Sequence, residues 1–103
     1  MQVNDSQVLV LCALAAGPLH GYAINTAIEA MTGQRLGPGS LYGALTRLEA
    51  KALVEATAGT GQDNGRGRPV RLTAAGREVL EAELRVMERI STLGLRSLGV
   101  RPA

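Results

Sequence analysis

Three apolar segments with helical spacing follow one another in the first half of the chain, and glycine and proline separate them. The first is the continuous apolar run 8–16, and the N-cap types Asn4, Asp5 and Ser6 precede it. Proline cannot continue a helical hydrogen-bond ladder, so Gly17-Pro18 should end this helix. A helix that is apolar on nearly every face is typically buried in the core of a protein. The run has about half the length that crosses a bilayer, so we expect no membrane span.

The next two segments carry apolar residues on one helical face each. The second helix should begin near His20 or Gly21 and end at Gly33, where a left-handed residue is favoured. A turn over 36–40 leads into the third. The predicted buried positions are Ile24, Ala27, Ile28 and Met31 in the second helix, and Leu41, Ala44, Leu45, Leu48 and Ala52 in the third.

The second half of the chain predicts a hairpin and one long helix. Segment 53–58 alternates roughly as a strand does, segment 68–72 is predicted as a short return strand, and the glycine-rich loop 59–67 joins them. Pro69 favours an edge position for the second strand. Thr73 suits the N-cap of a last helix that fades over 94–99. Its broad apolar band consists of Val79, Leu80, Leu84, Val86, Met87, Ile90 and Leu93.

The order of these elements predicts the fold class. Helix, helix, helix and hairpin is the order of a winged helix-turn-helix, and a chain of 103 residues has room for one domain. We therefore expect a mainly α protein with a small β-hairpin. Residues 1–72 would form the DNA-binding domain, and 73–103 a C-terminal dimerisation helix and tail within one compact unit.

Composition disfavours several functions. One cysteine and one histidine allow neither a disulfide nor a cysteine-based zinc site, so we predict no enzyme and no cofactor. Cys12 is expected to be a core thiol, and His20 a helix-start residue with a local hydrogen bond. The absence of Trp and Phe disfavours binding of single strands by base stacking. No secretory signal precedes the first helix, which predicts a cytoplasmic protein without membrane contact.

Charge and side-chain type point to double-stranded DNA. Residues 1–34 contain no Lys or Arg, whereas 35–71 carry a net charge of +3. Small, hydroxylated and basic residues on the third helix suit base edges and phosphates. The predicted contacts are Ser40, Tyr42, Gly43, Thr46 and Arg47 on that helix, Arg66, Arg68 and Arg71 on the wing, and Tyr22. For Tyr22, a packing role is as well supported as a contact to the DNA backbone. The wing arginines could instead solubilise the loop.

Five motifs in sequence order resemble PadR-type transcriptional regulators. They are Gly17-Pro18-Leu19-His20-Gly21-Tyr22, Gly37-Pro38-Gly39-Ser40-Leu41-Tyr42, Leu45-Thr46-Arg47-Leu48-Glu49 before Leu53-Val54, Arg66-Gly67-Arg68-Pro69, and Arg71-Leu72-Thr73-Ala74-Ala75-Gly76-Arg77. The resemblance implies a homodimeric bacterial repressor of the short form, with one C-terminal dimerisation helix and no effector domain. It also implies that Ser40, Tyr42 and the wing cations touch DNA. The short second strand lacks the aromatic pair of many members.

The sequence thus predicts a sequence-specific regulator that binds an inverted-repeat operator as a homodimer. The expected dimer interface is Leu80, Leu84, Met87, Ile90 and Leu93, because one small domain cannot cover so broad an apolar band. A small hydrophobic effector could bind at this interface, in a pocket lined by aliphatic and Met side chains. The alternative is a winged-helix protein-interaction module that binds no DNA.

Overall fold

The structure, a computed structural model, describes residues 4–57 and 68–101. Within them lie α1 (Asp5–Ala13), α2 (Gly21–Thr32), α3 (Pro38–Ala50), β1 (Val54–Ala56), β2 (Val70–Leu72) and α4 (Ala74–Ser97). The strands form an antiparallel pair in which Glu55 faces Arg71. This arrangement confirms the mainly α fold with a small hairpin. The predicted wing contact Arg66 and the whole predicted hairpin loop 59–67 lie outside the described residues.

Helix α1 supplies the centre of the hydrophobic core. The Asn4 side chain caps it by accepting a hydrogen bond from the backbone N–H of Gln7 (2.9 Å). Val10, Leu11 and Leu14 are almost fully buried, and the helix packs against α2, α3 and α4. The prediction of a buried first helix is confirmed. The helix ends at Ala13, however, four residues before the Gly17-Pro18 pair that should have stopped it.

Helix α2 begins and ends where the sequence indicated. His20 is its N-cap residue, and Gly33 closes it in the left-handed conformation with φ 81°. Ile24 and Ile28 are buried as predicted. The prediction was wrong for Met31, which is 50% exposed because the last turn of α2 extends beyond the core.

Helix α3 starts earlier and stops sooner than predicted. Pro38 occupies the first turn, where the missing N–H of proline costs no hydrogen bond, so the expected turn is largely helical. Leu41, Ala44 and Leu48 are buried against the core. The prediction was wrong for Ala52, which is exposed and lies beyond the helix with φ 59°, in the left-handed region.

A backbone bridge ties the hairpin to the connection between α1 and α2. The N–H of Leu19 donates to the carbonyl of Val70 (3.0 Å), and the N–H of Val70 donates back to Leu19 (2.9 Å). Both strands are three residues long, shorter than the predicted segments. The bridge places the start of α2 beside the second strand.

The first turn of α4 lies directly on the chain between α3 and β1. Thr73 caps the helix as predicted: its hydroxyl accepts from the Gly76 N–H (3.0 Å) and donates to the Ala52 carbonyl (2.7 Å). Gly76 is buried, and a Cβ on it would overlap the Leu53 carbonyl oxygen. Only glycine therefore allows this approach of the two backbones.

Helix α4 continues past the domain that it packs on. It has 24 residues, or about 36 Å at 1.5 Å per residue, and the molecule measures 54 × 26 × 22 Å. Leu80 joins the buried core and Val79 and Met87 pack against it, whereas Ile90 and Leu93 are 61% and 58% exposed. None of the helices within 4–57 and 68–101 is both long and apolar enough to cross a membrane.

The contact between Gly76 and Leu53 generates the first prediction. Gly76→Ala should lower the free energy of unfolding by about 1–3 kcal/mol, since the added methyl group meets backbone atoms that cannot move aside alone. Urea unfolding followed by circular dichroism measures this change. The control is Gly94→Ala in the same helix, where a Cβ meets nothing within 4 Å and helix propensity should raise stability by up to about 1 kcal/mol. Equal stability of Gly76→Ala and the wild type would contradict the contact.

Candidate nucleic-acid interface

The outward face of α3 presents the predicted polar residues to solvent. Ser40, Tyr42, Thr46 and Arg47 are exposed, and Gly43 is half-buried between them. The Thr46 hydroxyl donates to the Tyr42 carbonyl one turn earlier (2.8 Å), which leaves its lone pairs for an incoming donor. Pro38 and Gly39 precede this face and leave its N-terminal end without bulky side chains.

Arg47 lies along the axis of α3 rather than away from it. Its Nη1 atom is 3.6 Å from the position that a Cβ of Gly43 would occupy. The absence of a side chain at Gly43 therefore makes room for the guanidinium one turn back along the helix. Within the described part of the chain, Arg47 forms no ion pair. Its five N–H donors remain available to base edges or phosphates.

Tyr42 connects α3 to the beginning of α2. The Tyr42 hydroxyl is 3.4 Å from the position of a Cβ on Gly21, so its ring lies over the first turn of α2. The ring is nevertheless 60% exposed. The hydroxyl thus stands at the same helix end as the unpaired N–H groups of α2, a place where anions are stabilised.

Tyr22 stands on the same helix end and is 64% exposed. Its ring stacks on His20 with centroids 6.0 Å apart and planes 12° apart. The local hydrogen bond expected of His20 is not found at Nδ1, which is buried without a partner among the described residues.

The wing arginines differ in their surroundings. Arg68 is exposed and precedes β2. Arg71 donates to the Glu55 carboxylate across the hairpin at 3.2 Å, and both side chains are about half exposed. A phosphate would have to compete with Glu55 for this guanidinium. Among the described residues, Arg68 has no ion-pair partner, whereas Arg71 has one.

Two contacts that the sequence analysis missed position this surface. The bridge between Leu19 and Val70 holds the base of the wing beside α2. The buried side chain of Asn25 holds the backbone of Leu36, just before α3. Both join residues that are distant in sequence, and no local pattern of residue types indicates them.

The residues predicted for the dimer interface divide into two groups. Leu80 is 5% exposed in the core of its own chain, and half-buried Met87 packs against that core. The expectation that Leu80 serves the interface is therefore corrected, because it has almost no surface left to contribute. Leu84, Ile90 and Leu93 are exposed.

Neither a reactive thiol nor a metal site is found among the described residues. Burial raises the pKa of the Cys12 thiol, which keeps it protonated and unreactive. In 4–57 and 68–101, no three His, Cys, Asp or Glu side chains are grouped closely enough to hold a metal ion. Exposed hydroxyl groups and the guanidinium of Arg47 lie on the outward face of α3, and the Tyr22 hydroxyl lies at the start of α2.

Comparison with known proteins agrees with this geometry. The model of the transcriptional regulator PadR-like family matches residues 10–82. A PadR family transcription regulator from Clostridium difficile R20291 has a similar structure, with a TM-score of 0.76, 26% identity, and coverage of 92% of this chain and 99% of that one. A PadR-like transcriptional regulator from Bacillus cereus, 22% identical, shares the fold with a TM-score of 0.77 over 89% of each chain.

A curated relative is more similar in sequence. An uncharacterised 37.1 kDa protein in transposon TN4556 of Streptomyces fradiae is 64% identical over 91 residues, which are 88% of this chain. The chain spans only a quarter of that protein's length.

The exposure of both tyrosines generates the second prediction. With 3-fluorotyrosine in place of tyrosine, the protein should give two ¹⁹F resonances, one for each of its two Tyr residues. Both should shift when duplex DNA is added, because both rings lie on the surface that would face the duplex. Tyr22→Phe and Tyr42→Phe variants assign the resonances. If saturating DNA moves neither resonance, this surface is not the interface.

Proposed function

Because this chain belongs to the PadR-like family of transcriptional regulators, we propose that it recognises a specific double-stranded DNA sequence as a homodimer. Helix α3 lies in the major groove and the hairpin holds the flanking backbone. The observation that carries this proposal is the outward face of α3, with exposed Ser40, Tyr42, Thr46 and Arg47 opposite a buried Leu41–Leu48 face. A single helix fits the major groove, and base edges there differ for every base pair.

Contacts to phosphate would come from residues around α3. Tyr42 lies over the first turn of α2, and Arg68 precedes β2, which the Leu19–Val70 bridge holds beside the start of the same helix. Hydroxyl groups, helix N-termini and arginines are the usual donors to the DNA backbone. These contacts would fix the register of α3 without reading sequence, and Arg47 would supply the discrimination between bases.

The apolar surface of α4 supports a homodimer. Leu84, Ile90 and Leu93 are 41–61% exposed, and Ile90 and Leu93 lie beyond Met87, which packs on the core. A small domain rarely leaves such a band in water, and a second α4 offers a complementary one. A two-fold dimer predicts an operator of two inverted half-sites about 34–36 Å apart. A protein held on such an operator would repress by occupying it.

The groove beside Leu80 and Leu84 would be the place for an effector. It has a volume of about 460 Å³, and Arg77, Glu81, Arg85 and Glu88 surround its apolar floor. In a dimer a second helix would close it, and a small hydrophobic molecule bound there would change the angle between the subunits.

Two arginine variants test the DNA-binding mode. Arg47→Ala should lower the preference for a selected duplex over a random one, by about 1–3 kcal/mol at one base pair. Arg68→Ala should weaken binding to both duplexes equally and reduce the slope of log K against log salt by about 0.9 for each phosphate that the variant leaves unneutralised. Fluorescence anisotropy at several salt concentrations measures both effects. Arg96→Ala, an exposed arginine in the last turn of α4, is the matched control and should change neither.

If neither Arg47→Ala nor Arg68→Ala changes affinity more than twofold, the proposed binding mode is wrong. In that case a winged-helix module for protein interaction would explain the fold better than a DNA-binding one.

The dimer proposal has its own test in α4. Ile90→Asp should shift the protein from dimer to monomer in sedimentation equilibrium, because a carboxylate buried between two apolar helices would lose its hydration. Ala82→Asp introduces the same charge at an exposed position of the same helix and should leave the dimer intact. A wild-type protein that is monomeric at micromolar concentration would contradict the proposal.

A further inference from the structure

The buried side chain of Asn25 bonds to the backbone just before α3. Its Nδ2 donates to the carbonyl oxygen of Leu36 (2.8 Å), and its Oδ1 accepts from the N–H of Leu36 (2.8 Å). The side-chain amide therefore pairs with both polar groups of one backbone residue, as a neighbouring strand would. We name this pair of bonds the Asn25–Leu36 clamp.

The clamp bonds the segment that leads from α2 to α3 to a buried side chain of α2. The other hydrogen bonds of 33–37 are local or exposed: Gln34 bonds with Thr32, and Arg35 pairs with Glu29 at the surface (2.9 Å). The Leu36 side chain packs against the core. One residue later, the Gly37 carbonyl accepts the first hydrogen bond of α3, from Leu41 (2.9 Å). The clamp thus holds the residue next to the start of α3.

Asparagine is suited to this position by its chemistry. A buried backbone N–H and C=O each need a partner, and a primary amide offers one acceptor and one donor at the spacing of a peptide group. Leucine has a similar size but offers neither. Aspartate accepts from the N–H but, when ionised, directs its second oxygen at the Leu36 carbonyl without a proton between them.

From this geometry we propose that Asn25 is a positioning residue for DNA recognition. The Asn25–Leu36 clamp fixes where α3 begins and how it is rotated about its axis, and so directs Ser40 and Arg47 at the major groove. Asn25 is itself 9% exposed and has too little surface to contact DNA. The inference rests on the proposed function, since it concerns how that same interface reads sequence.

The test distinguishes an effect on the orientation of α3 from an effect on folding stability. Asn25→Leu and Asn25→Asp are compared with wild type, each at a temperature where circular dichroism shows it fully folded. Ile28→Val, a buried change one turn further along α2, is the control for reduced core stability. The measured quantities are the dissociation constants for a duplex selected from a random pool and for a random duplex, together with the exchange rate of the Leu36 amide proton.

The two asparagine variants should each lose at least tenfold in preference for the selected duplex. Their affinity for the random duplex should stay within twofold of wild type, with an unchanged salt slope, because the phosphate contacts remain. Exchange of the Leu36 amide should accelerate at least tenfold. Ile28→Val should alter none of these quantities by more than twofold.

Three results would overturn the inference. If the preference for the selected duplex stays within twofold of wild type while Leu36 exchange accelerates, the clamp does not orient α3 for recognition. A parallel decrease in affinity for both duplexes would show a purely structural role, and unchanged exchange would show that the clamp does not protect Leu36. A wild-type protein without preference for any duplex would instead refute the proposed function, and the inference with it.

Discussion

The contact between the first turn of α4 and the backbone of Leu53 determines how the parts of this molecule are oriented. Gly76 lies against the Leu53 carbonyl, and the Thr73 hydroxyl joins the Gly76 N–H to the Ala52 carbonyl. Ala52 turns the chain with a left-handed φ only two residues after α3 ends. The same few residues therefore end α3, begin β1 and start α4. In a two-fold dimer built on α4, this joint would set the distance between the two α3 helices.

The remaining contacts divide into those that support the outward face of α3 and those that form it. The core around Leu11 and Ile24 supports the helix from inside, while the Leu19–Val70 bridge and the Asn25–Leu36 clamp hold the chain on either side of α2. The face itself consists of exposed residues that contribute little to the core. Substitutions on it can change binding with little effect on folding, and this separation lets one scaffold carry different DNA preferences.

Local patterns in the sequence predicted the elements and their caps, because each depends on neighbours a few residues away. The apolar run of α1, the Gly33 stop and the Thr73 cap are of this kind. The sequence did not indicate the partner of Asn25, the pairing of Arg71 with Glu55 or the burial of Leu80 in its own core, since each depends on elements brought together by folding. The end of α3 before Ala52 was missed for the same reason: the carbonyl of Ala52 bonds to Thr73, 21 residues away.

The central claim is that α3 reads sequence in the major groove, and methylation interference on a duplex selected from a random pool tests it most directly. Methyl groups on guanine N7 stand in the major groove, and those on adenine N3 stand in the minor groove. The account predicts interference by N7 methylation in two patches one helical turn apart, related by the symmetry of the inverted half-sites. Interference confined to adenine N3, or the absence of any selected sequence, would contradict it.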